Sequence, residues 1–159
     1  MSDTDHHRED RLDRAVAYRI HLTDRLLLTH LARFLAVADH GLTPESWFVL
    51  ARVAEEGSVR QVDLTEPALV DAPNVSRLSD RLVAAGLVER RPDPDDGRAR
   101  VLVATEEGRR VTAELKRRAI DERRRVFAGL DDDELATFLT TLDRVQANVR
   151  GLLAPDAAP

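Results

Sequence analysis

Residues 74–98 have the sequence NVSRLSDRLVAAGLVERRPDPDDGR, and this stretch decides the fold. Its first half carries apolar residues at the spacing of one helix face, namely Val75, Leu78 and Leu82. Polar and basic residues take the same spacing on another face, namely Asn74, Arg77 and Arg81. The pattern predicts an amphipathic helix over 72–85, capped by Asp71 and closed by Gly86. Its polar side is either an ordinary solvated face or a surface that meets base edges and phosphates.

A β-hairpin is predicted directly after this helix. Residues 87–91 and 98–104 have the composition of strands, and the segment 92–97 between them is dense in turn-forming residues. We expect the strands to direct Leu87, Val101 and Val103 inward and to leave Arg90, Arg91 and Arg100 outside. Arg98 lies at the tip, where a cation can enter a minor groove. Asp96 is placed to hold its guanidinium group.

Two helices are predicted toward the N-terminus. A long amphipathic helix spans about 10–37, because apolar residues recur there at helical spacing. A second helix has Thr43 as its N-cap and Pro44 at its first position, and it ends at Gly57.

The segment after Gly57 is predicted to form a short third helix. Ser58 with Gln61 three residues later has the form of a capping box, and Pro67 limits the helix that it opens. The order short helix, turn, helix and hairpin is that of a winged helix-turn-helix.

Two more helices are predicted after the hairpin. Thr105 caps one that continues to about Leu130, and Asp131 with Glu134 three residues on caps another. The last helix has an apolar stripe along its length: Leu135, Phe138, Leu139, Leu142, Val145, Val149 and Leu152. The sequence thus predicts a mainly α-helical protein with a small β-hairpin wing.

Residues 74–108 resemble the MarR family of winged-helix regulators. The stretch 74–91 resembles the recognition helix and first wing strand of that family, and 93–98 resembles the wing, whose D-x-R element matches Asp96 and Arg98. Leu-Thr-Pro at 42–44 and Thr-Glu-Glu-Gly at 105–108 fall where the family opens two of its helices. The chain departs from the pattern at 65–69, where the family has a Leu-Gly turn, and at Gly97, where an Arg is common.

The resemblance implies a homodimer that binds a palindromic operator on double-stranded DNA, most often as a repressor. It divides the chain into a disordered tail (1–9), an N-terminal dimerisation helix (10–41), a DNA-binding lobe (42–104), C-terminal dimerisation helices (105–153) and a frayed tail (154–159). The predicted DNA-binding residues are Arg60, Gln61, Pro73, Asn74, Ser76, Arg77, Arg81, Asp96 and Arg98.

The family also implies release from DNA by a small aromatic ligand that binds between the lobes. His21, Arg25 and Trp47 are the candidate ligand-binding residues, because an imidazole, a guanidinium and an indole suit an aromatic anion. The alternative for Trp47 is a core position, stapled against Leu42 across the helix cap. For His21 and Arg25 the alternative is the surface of the first helix.

Composition narrows the remaining possibilities. The chain has no cysteine, which excludes disulfides, thiolate metal sites and a thiol redox switch. No signal peptide or membrane-length apolar run is present, so we expect a cytoplasmic protein without cofactor or metal. The net charge of −5 argues mildly against DNA binding. Residues 72–103, however, carry six Arg against five acids and are less acidic than the segments 38–71 and 131–159.

Two other functional classes are alternatives to a DNA-binding regulator. An enzyme would need a catalytic or phosphate-binding motif, and the histidines at 21 and 30 do not share a helix face at i, i+4 spacing. A winged helix used only for protein contacts is the second alternative. A gel shift with DNA upstream of the gene discriminates between that alternative and a regulator.

Overall fold

The computed structural model describes residues 15–64, 72–94, 96 and 99–154. Within these ranges the chain forms five α-helices, one 3₁₀ helix and a three-stranded sheet. The elements in order are α1 (Val16–Ala38), α2 (Pro44–Glu56), β1 (Ser58–Arg60), the 3₁₀ helix (Gln61–Leu64), α3 (Ala72–Ala84), β2 (Val88–Pro92), β3 (Arg100–Ala104), α4 (Glu106–Val126) and α5 (Asp132–Leu153). The predicted architecture, mainly α-helical with a small wing, is confirmed. None of the helices in these ranges is long and apolar enough to cross a membrane.

Helix α2 begins where its cap residues predict. The Thr43 side chain accepts a hydrogen bond from the Ser46 backbone N–H at 3.3 Å, and the Ser46 hydroxyl oxygen accepts one from the Thr43 backbone N–H at 2.8 Å. This reciprocal pair satisfies two of the backbone donors that a helix start leaves open. Asp131 and Glu134 form the equivalent pair at the start of α5, as predicted.

The first helix, predicted over about 10–37, is not continuous through residue 15, and residues 10–14 lie outside the described residues. Ala15 has extended backbone angles, so α1 begins at Val16, and no side chain caps it. Apolar spacing marks the buried face of a helix but not its first residue, and a start without a capping side chain leaves no local signal. The predicted cap of α3, Asp71, and the predicted limit of the third helix, Pro67, lie outside the described residues.

The capping box predicted at Ser58 and Gln61 is also wrong. Ser58 belongs to β1, which pairs antiparallel with β3 so that Ser58 lies opposite Val103. Val59 is buried in the core, and the outer edge of β3 supplies the backbone partners that make this segment a strand. Only the four residues Gln61–Leu64 keep a helical form, as a 3₁₀ turn. Because the strand partners of these residues lie 41–45 positions away in sequence, the local pattern does not reveal the pairing.

The prediction for the faces of β3 is only partly right. Leu102 and Ala104, which face the main hydrophobic core, were not predicted to do so. Val101 is buried, as predicted, although it lies on the other face of the strand, and Val103 on that face is half-buried. A shift of one residue exchanges the two faces of a strand, and the sequence RVLVA is apolar on both. Leu87 is buried, as predicted, and the three arginines are exposed, as predicted: Arg90, Arg91 and Arg100.

Helix α3 packs against α2, β2 and the 3₁₀ helix, and α4 joins the same core by packing against α2 and β3. The apolar side of α3 is buried as its spacing predicts, with Val75, Leu78 and Leu82 each at most 3% exposed. The chief partners from the other elements are Leu35, Leu50, Val53, Leu102, Val111 and Leu115. This packing holds α3 by one side and leaves its other side at the surface.

Helix α4 is tied to the end of α3 through the turn at Gly86. Gly86 has a φ of +70°, and the Leu87 N–H donates to the Leu82 carbonyl at 3.0 Å, which closes α3 with a glycine cap. The Thr105 hydroxyl donates to the Gly86 carbonyl at 2.7 Å and accepts from the Gly108 N–H at 2.9 Å. The same residue therefore caps α4 and fixes the turn that leads from α3 into the wing.

Candidate nucleic-acid interface

The exposed side of α3 carries the residues predicted to read DNA. Arg77 and Arg81 are exposed, Pro73 is exposed near the start of the helix, and Asn74 and Ser76 are half-buried beside them. A helix held by an apolar seam and bearing Arg and Asn on its free side is the form that enters a major groove.

Two side-chain contacts give this face a defined geometry. The Arg77 Nη2 donates to the Asn74 Oδ1 at 2.7 Å, one helical turn away. The Arg90 Nη2 donates to the Asp80 Oδ1 at 2.6 Å, which connects the wing strand β2 to α3. Arginine–carboxylate and arginine–amide contacts of this kind restrict the guanidinium groups to particular directions.

Arg60 lies at the base of the wing. Its Nε donates to an Asp93 oxygen, and the Asp93 side chain is only 3% exposed, whereas that of Arg60 is 45% exposed. The hydrogen bond to Asp93, together with its negative charge, raises the pKa of Arg60 above its ordinary value. Arg60 thus contributes charge at this edge while part of its guanidinium is committed to the wing. Gln61 follows at the start of the 3₁₀ helix and is half-buried.

The strand register places Arg60 on the same face of the sheet as Arg91 of the wing strand β2. Arg60 lies opposite Val101 on β3, and Val101 lies opposite Arg91 on β2. Residues directly opposite in neighbouring strands share one face, so the outer face of the sheet carries two arginines flanking a valine. Arg91 in turn donates to Glu89 on its own strand.

The tip of the wing is described only in part. The Asp96 side chain is exposed, and its backbone carbonyl accepts a hydrogen bond from the Ala99 N–H at 2.9 Å. Arg98, the predicted minor-groove residue, lies outside the described residues. Its role and its predicted pairing with Asp96 stay predictions.

Sequence reasoning missed two acidic residues that organise this surface. Asp93 was interpreted only as a turn former, yet it is the buried partner of Arg60. Asp80 binds Arg90 of β2, a partner ten residues away that the helical pattern of α3 does not indicate. A buried carboxylate needs a partner, but the sequence does not mark Asp93 as buried, because it follows a strand that is mostly exposed.

The three predicted ligand-binding residues do not line the cavity between α1 and α4. His21 and Arg25 are exposed one turn apart on α1, and Trp47 packs partly buried against the core. The cavity has a volume of about 410 Å³ and is lined on α1 by His30 and Phe34 among others. A ligand site at the three predicted residues stays a prediction.

Comparison with known proteins agrees with this geometry. Residues 42–99 match the profile of the MarR family. The chain is 31% identical over 116 residues to an uncharacterized protein of Mycobacterium tuberculosis, a match that covers 70% of this chain and 77% of that protein. It is 28% identical over 123 residues to the multiple antibiotic resistance protein MarR of Salmonella typhimurium, covering 77% of this chain and 81% of that one.

Two solved structures are similar over most of the chain. A mutant of MarR from E. coli complexed with operator DNA superimposes with a TM-score of 0.73 at 27% identity, covering 82% of this chain and 92% of that one. CouR from Rhodococcus jostii bound to p-coumaroyl-CoA superimposes with a TM-score of 0.73 at 25% identity, covering 94% and 99% respectively. Profile, sequence relatives and fold agree, and the chain belongs to the MarR family of winged helix-turn-helix transcriptional regulators.

Proposed function

We propose that this protein is a repressor that binds a palindromic operator as a homodimer and is released by a small aromatic ligand. The observation that carries the proposal is the two-sided character of α3. Its seam of Val75, Leu78 and Leu82 is buried, and its other side exposes Arg77 and Arg81. The similar E. coli MarR mutant complexed with operator DNA supports DNA as the partner of this side.

Docking of α3 in a major groove would bring the wing to the neighbouring backbone or minor groove. Arg91 and Arg100 are exposed on the two wing strands, and Arg60 adds a cation at their base. Because several acids of this region already bind arginines, the surface is less repulsive to phosphate than the net charge of −5 suggests. We expect a modest affinity that falls with salt.

The dimer is supported by the apolar surface that one chain leaves uncovered. Helix α5 has no buried residue, although Phe138, Leu139 and Val149 lie along it. Helix α1 likewise exposes Ile20 and Leu27. Burial of apolar surface stabilises by about 25 cal/mol per Å², and a symmetric pair covers the same stripe on both copies. Sedimentation at micromolar concentration is expected to give twice the chain mass, and a monomer would contradict this part of the proposal.

Ligand control is supported by the similarity to CouR, which was solved with p-coumaroyl-CoA. We propose His21, Arg25 and Trp47 as the residues that meet an aromatic anion. Trp47 is the single tryptophan, so its fluorescence reports on this region alone. If fluorescence and melting temperature stay constant across a panel of phenols and aromatic acids, ligand control loses its support.

The experiment that tests DNA binding is a gel shift of the full chain with the DNA upstream of its own gene. A scrambled duplex of the same length and composition is the control, and both are titrated with salt. Specific binding predicts a higher affinity for the upstream DNA at every salt concentration. Equal affinity for the two duplexes would favour a winged helix that contacts proteins instead.

A further inference from the structure

The amide and carboxylate acceptors on the exposed side of α3 are already engaged by arginines. The helix contains one amide side chain, Asn74, and one carboxylate, Asp80. The Asn74 Oδ1 accepts from the Arg77 Nη2 at 2.7 Å, and the Asp80 Oδ1 accepts from the Arg90 Nη2 at 2.6 Å. Beside them on β2, Glu89 accepts from Arg91. Apart from the Ser76 hydroxyl, which can donate or accept, the groups that α3 offers to a groove are therefore mainly donors.

This arrangement restricts which base edges α3 can read. In the major groove, an asparagine reads adenine by accepting from N6 and donating to N7, and an aspartate reads cytosine by accepting from N4. An adenine amino group at Asn74 would have to share the Oδ1 with a guanidinium 2.7 Å away, which would place two donors side by side. Asp80 is bound to Arg90 and is poorly placed to accept from cytosine.

Arg77 offers hydrogen-bond donors, which suit the acceptors on a base edge. Its guanidinium is exposed, and four of its five N–H donors remain after the bond to Asn74. Guanine presents two acceptors, N7 and O6, to the major groove, and arginine bonds both. Because Asn74 already fixes the direction of the guanidinium, less side-chain freedom is lost on binding.

We infer that Arg77, held in place by Asn74, selects a guanine in each half of the operator. Asn74 is then a positioning residue and not an adenine reader. The inference rests on the proposed function only in that α3 enters a major groove. It adds the identity of a base and a division of roles between two neighbouring side chains.

The test starts with selection of binding sites by the full-length protein from a pool of random DNA duplexes. We expect the enriched sequence to contain a guanine at one fixed position in each half-site. Replacing that guanine by adenine, with its pairing partner, should weaken binding by about 5- to 150-fold. Replacing it by 7-deazaguanine, which lacks only the N7 acceptor, should weaken binding without altering base pairing.

Variants separate the two roles. Arg77→Ala should remove the preference for guanine over adenine at that position. Asn74→Ala should reduce the preference for guanine at that position and no other base preference. In the double variant, it should lower affinity by less than a further twofold beyond Arg77→Ala alone. Asn74→Asp keeps the acceptor for Arg77, so the preference should survive even though the added negative charge lowers affinity for all DNA. Arg117→Ala removes one exposed positive charge from α4 and serves as the charge-matched control.

Three results would overturn the inference while leaving DNA binding intact. The first is an enriched site in which no guanine preference depends on Arg77. The second is a double variant in which the losses of affinity caused by Asn74→Ala and Arg77→Ala multiply. The third is a loss of base preference in Asn74→Ala that occurs at an adenine position. If selection enriches no sequence at all, the proposed function itself fails. The two kinds of failure are therefore distinguishable in the same experiment.

Discussion

Gly108 provides the sharpest test of how the wing is attached to the rest of the molecule. It lies in the first turn of α4, where the helix passes against the backbone of the turn after α3. A Cβ atom at this position would lie 2.0 Å from the Leu87 carbonyl oxygen and 2.9 Å from its carbonyl carbon. That oxygen also accepts a hydrogen bond from the Thr105 N–H at 3.0 Å, so it is held in place. Gly108→Ala therefore forces backbone to move.

The magnitude follows from two opposing contributions. Alanine in place of glycine in a helix stabilises by about 1 kcal/mol. An ordinary carbon–oxygen contact is about 3.3 Å, so the new methyl group overlaps by more than 1 Å. Overpacking of a filled site costs about 1–3 kcal/mol, and a clash with fixed backbone belongs at or beyond the upper end. We expect a net loss of about 2 kcal/mol or more, which for a chain of this length lowers Tm by about 4–8 °C.

Gly151→Ala is the matched control, because nothing lies within 4 Å of a Cβ built at Gly151 in α5. That variant should be stabilised by about 0.5–1 kcal/mol through helix propensity alone. The assay is thermal and urea unfolding followed by circular dichroism at one fixed protein concentration, since dimerisation would make Tm concentration-dependent. If Gly108→Ala is as stable as the wild type or shifts in the same direction as Gly151→Ala, the close approach between α4 and Leu87 is refuted.

Three further predictions address the core, the wing and redox control. Leu78→Ala removes a side chain that is 3% exposed and should cost about 2–5 kcal/mol in urea unfolding, whereas a cost below 1 kcal/mol would contradict the buried seam of α3. Arg98→Ala should weaken binding most where the operator flanks are A/T-rich and lower the salt slope by about one unit per subunit; an unchanged slope would mean that Arg98 contacts no phosphate. Hydrogen peroxide at moderate dose should leave the gel shift unchanged because the chain has no cysteine, and loss of binding would point to another oxidisable group.

Features fixed by local chemistry were predictable from the sequence, and features fixed by distant partners were not. Thr43 and Asp131 mark helix starts through hydrogen bonds to residues three positions away, and the structure has both. The apolar seam of α3 follows from helical spacing alone. By contrast, Ser58 is a strand residue because β3 lies beside it, and the pattern of its neighbours favoured a helix cap.

The β3 strand shows a different limit. Its sequence RVLVA is apolar at four consecutive positions, so alternation cannot distinguish the core face from the outer face. The choice is made by register, since Leu102 lies opposite Val59, the buried residue of the edge strand β1. The third strand, β1, which the sequence did not predict, places Leu102 beside Val59 in the main core, and Val101 is buried on the other face.

Charge gives the most instructive difference between sequence and structure. Counted along the chain, Asp80, Glu89 and Asp93 subtract from the basic character of the DNA-binding lobe. In the structure each of them accepts a hydrogen bond from an arginine of the same surface. A bonded pair of this kind is close to neutral for a distant phosphate, but it still fixes the direction of the guanidinium at short range. The acids of this lobe therefore reduce nonspecific attraction and sharpen the placement of arginines, which is the combination that a regulator needs to distinguish its operator from other DNA.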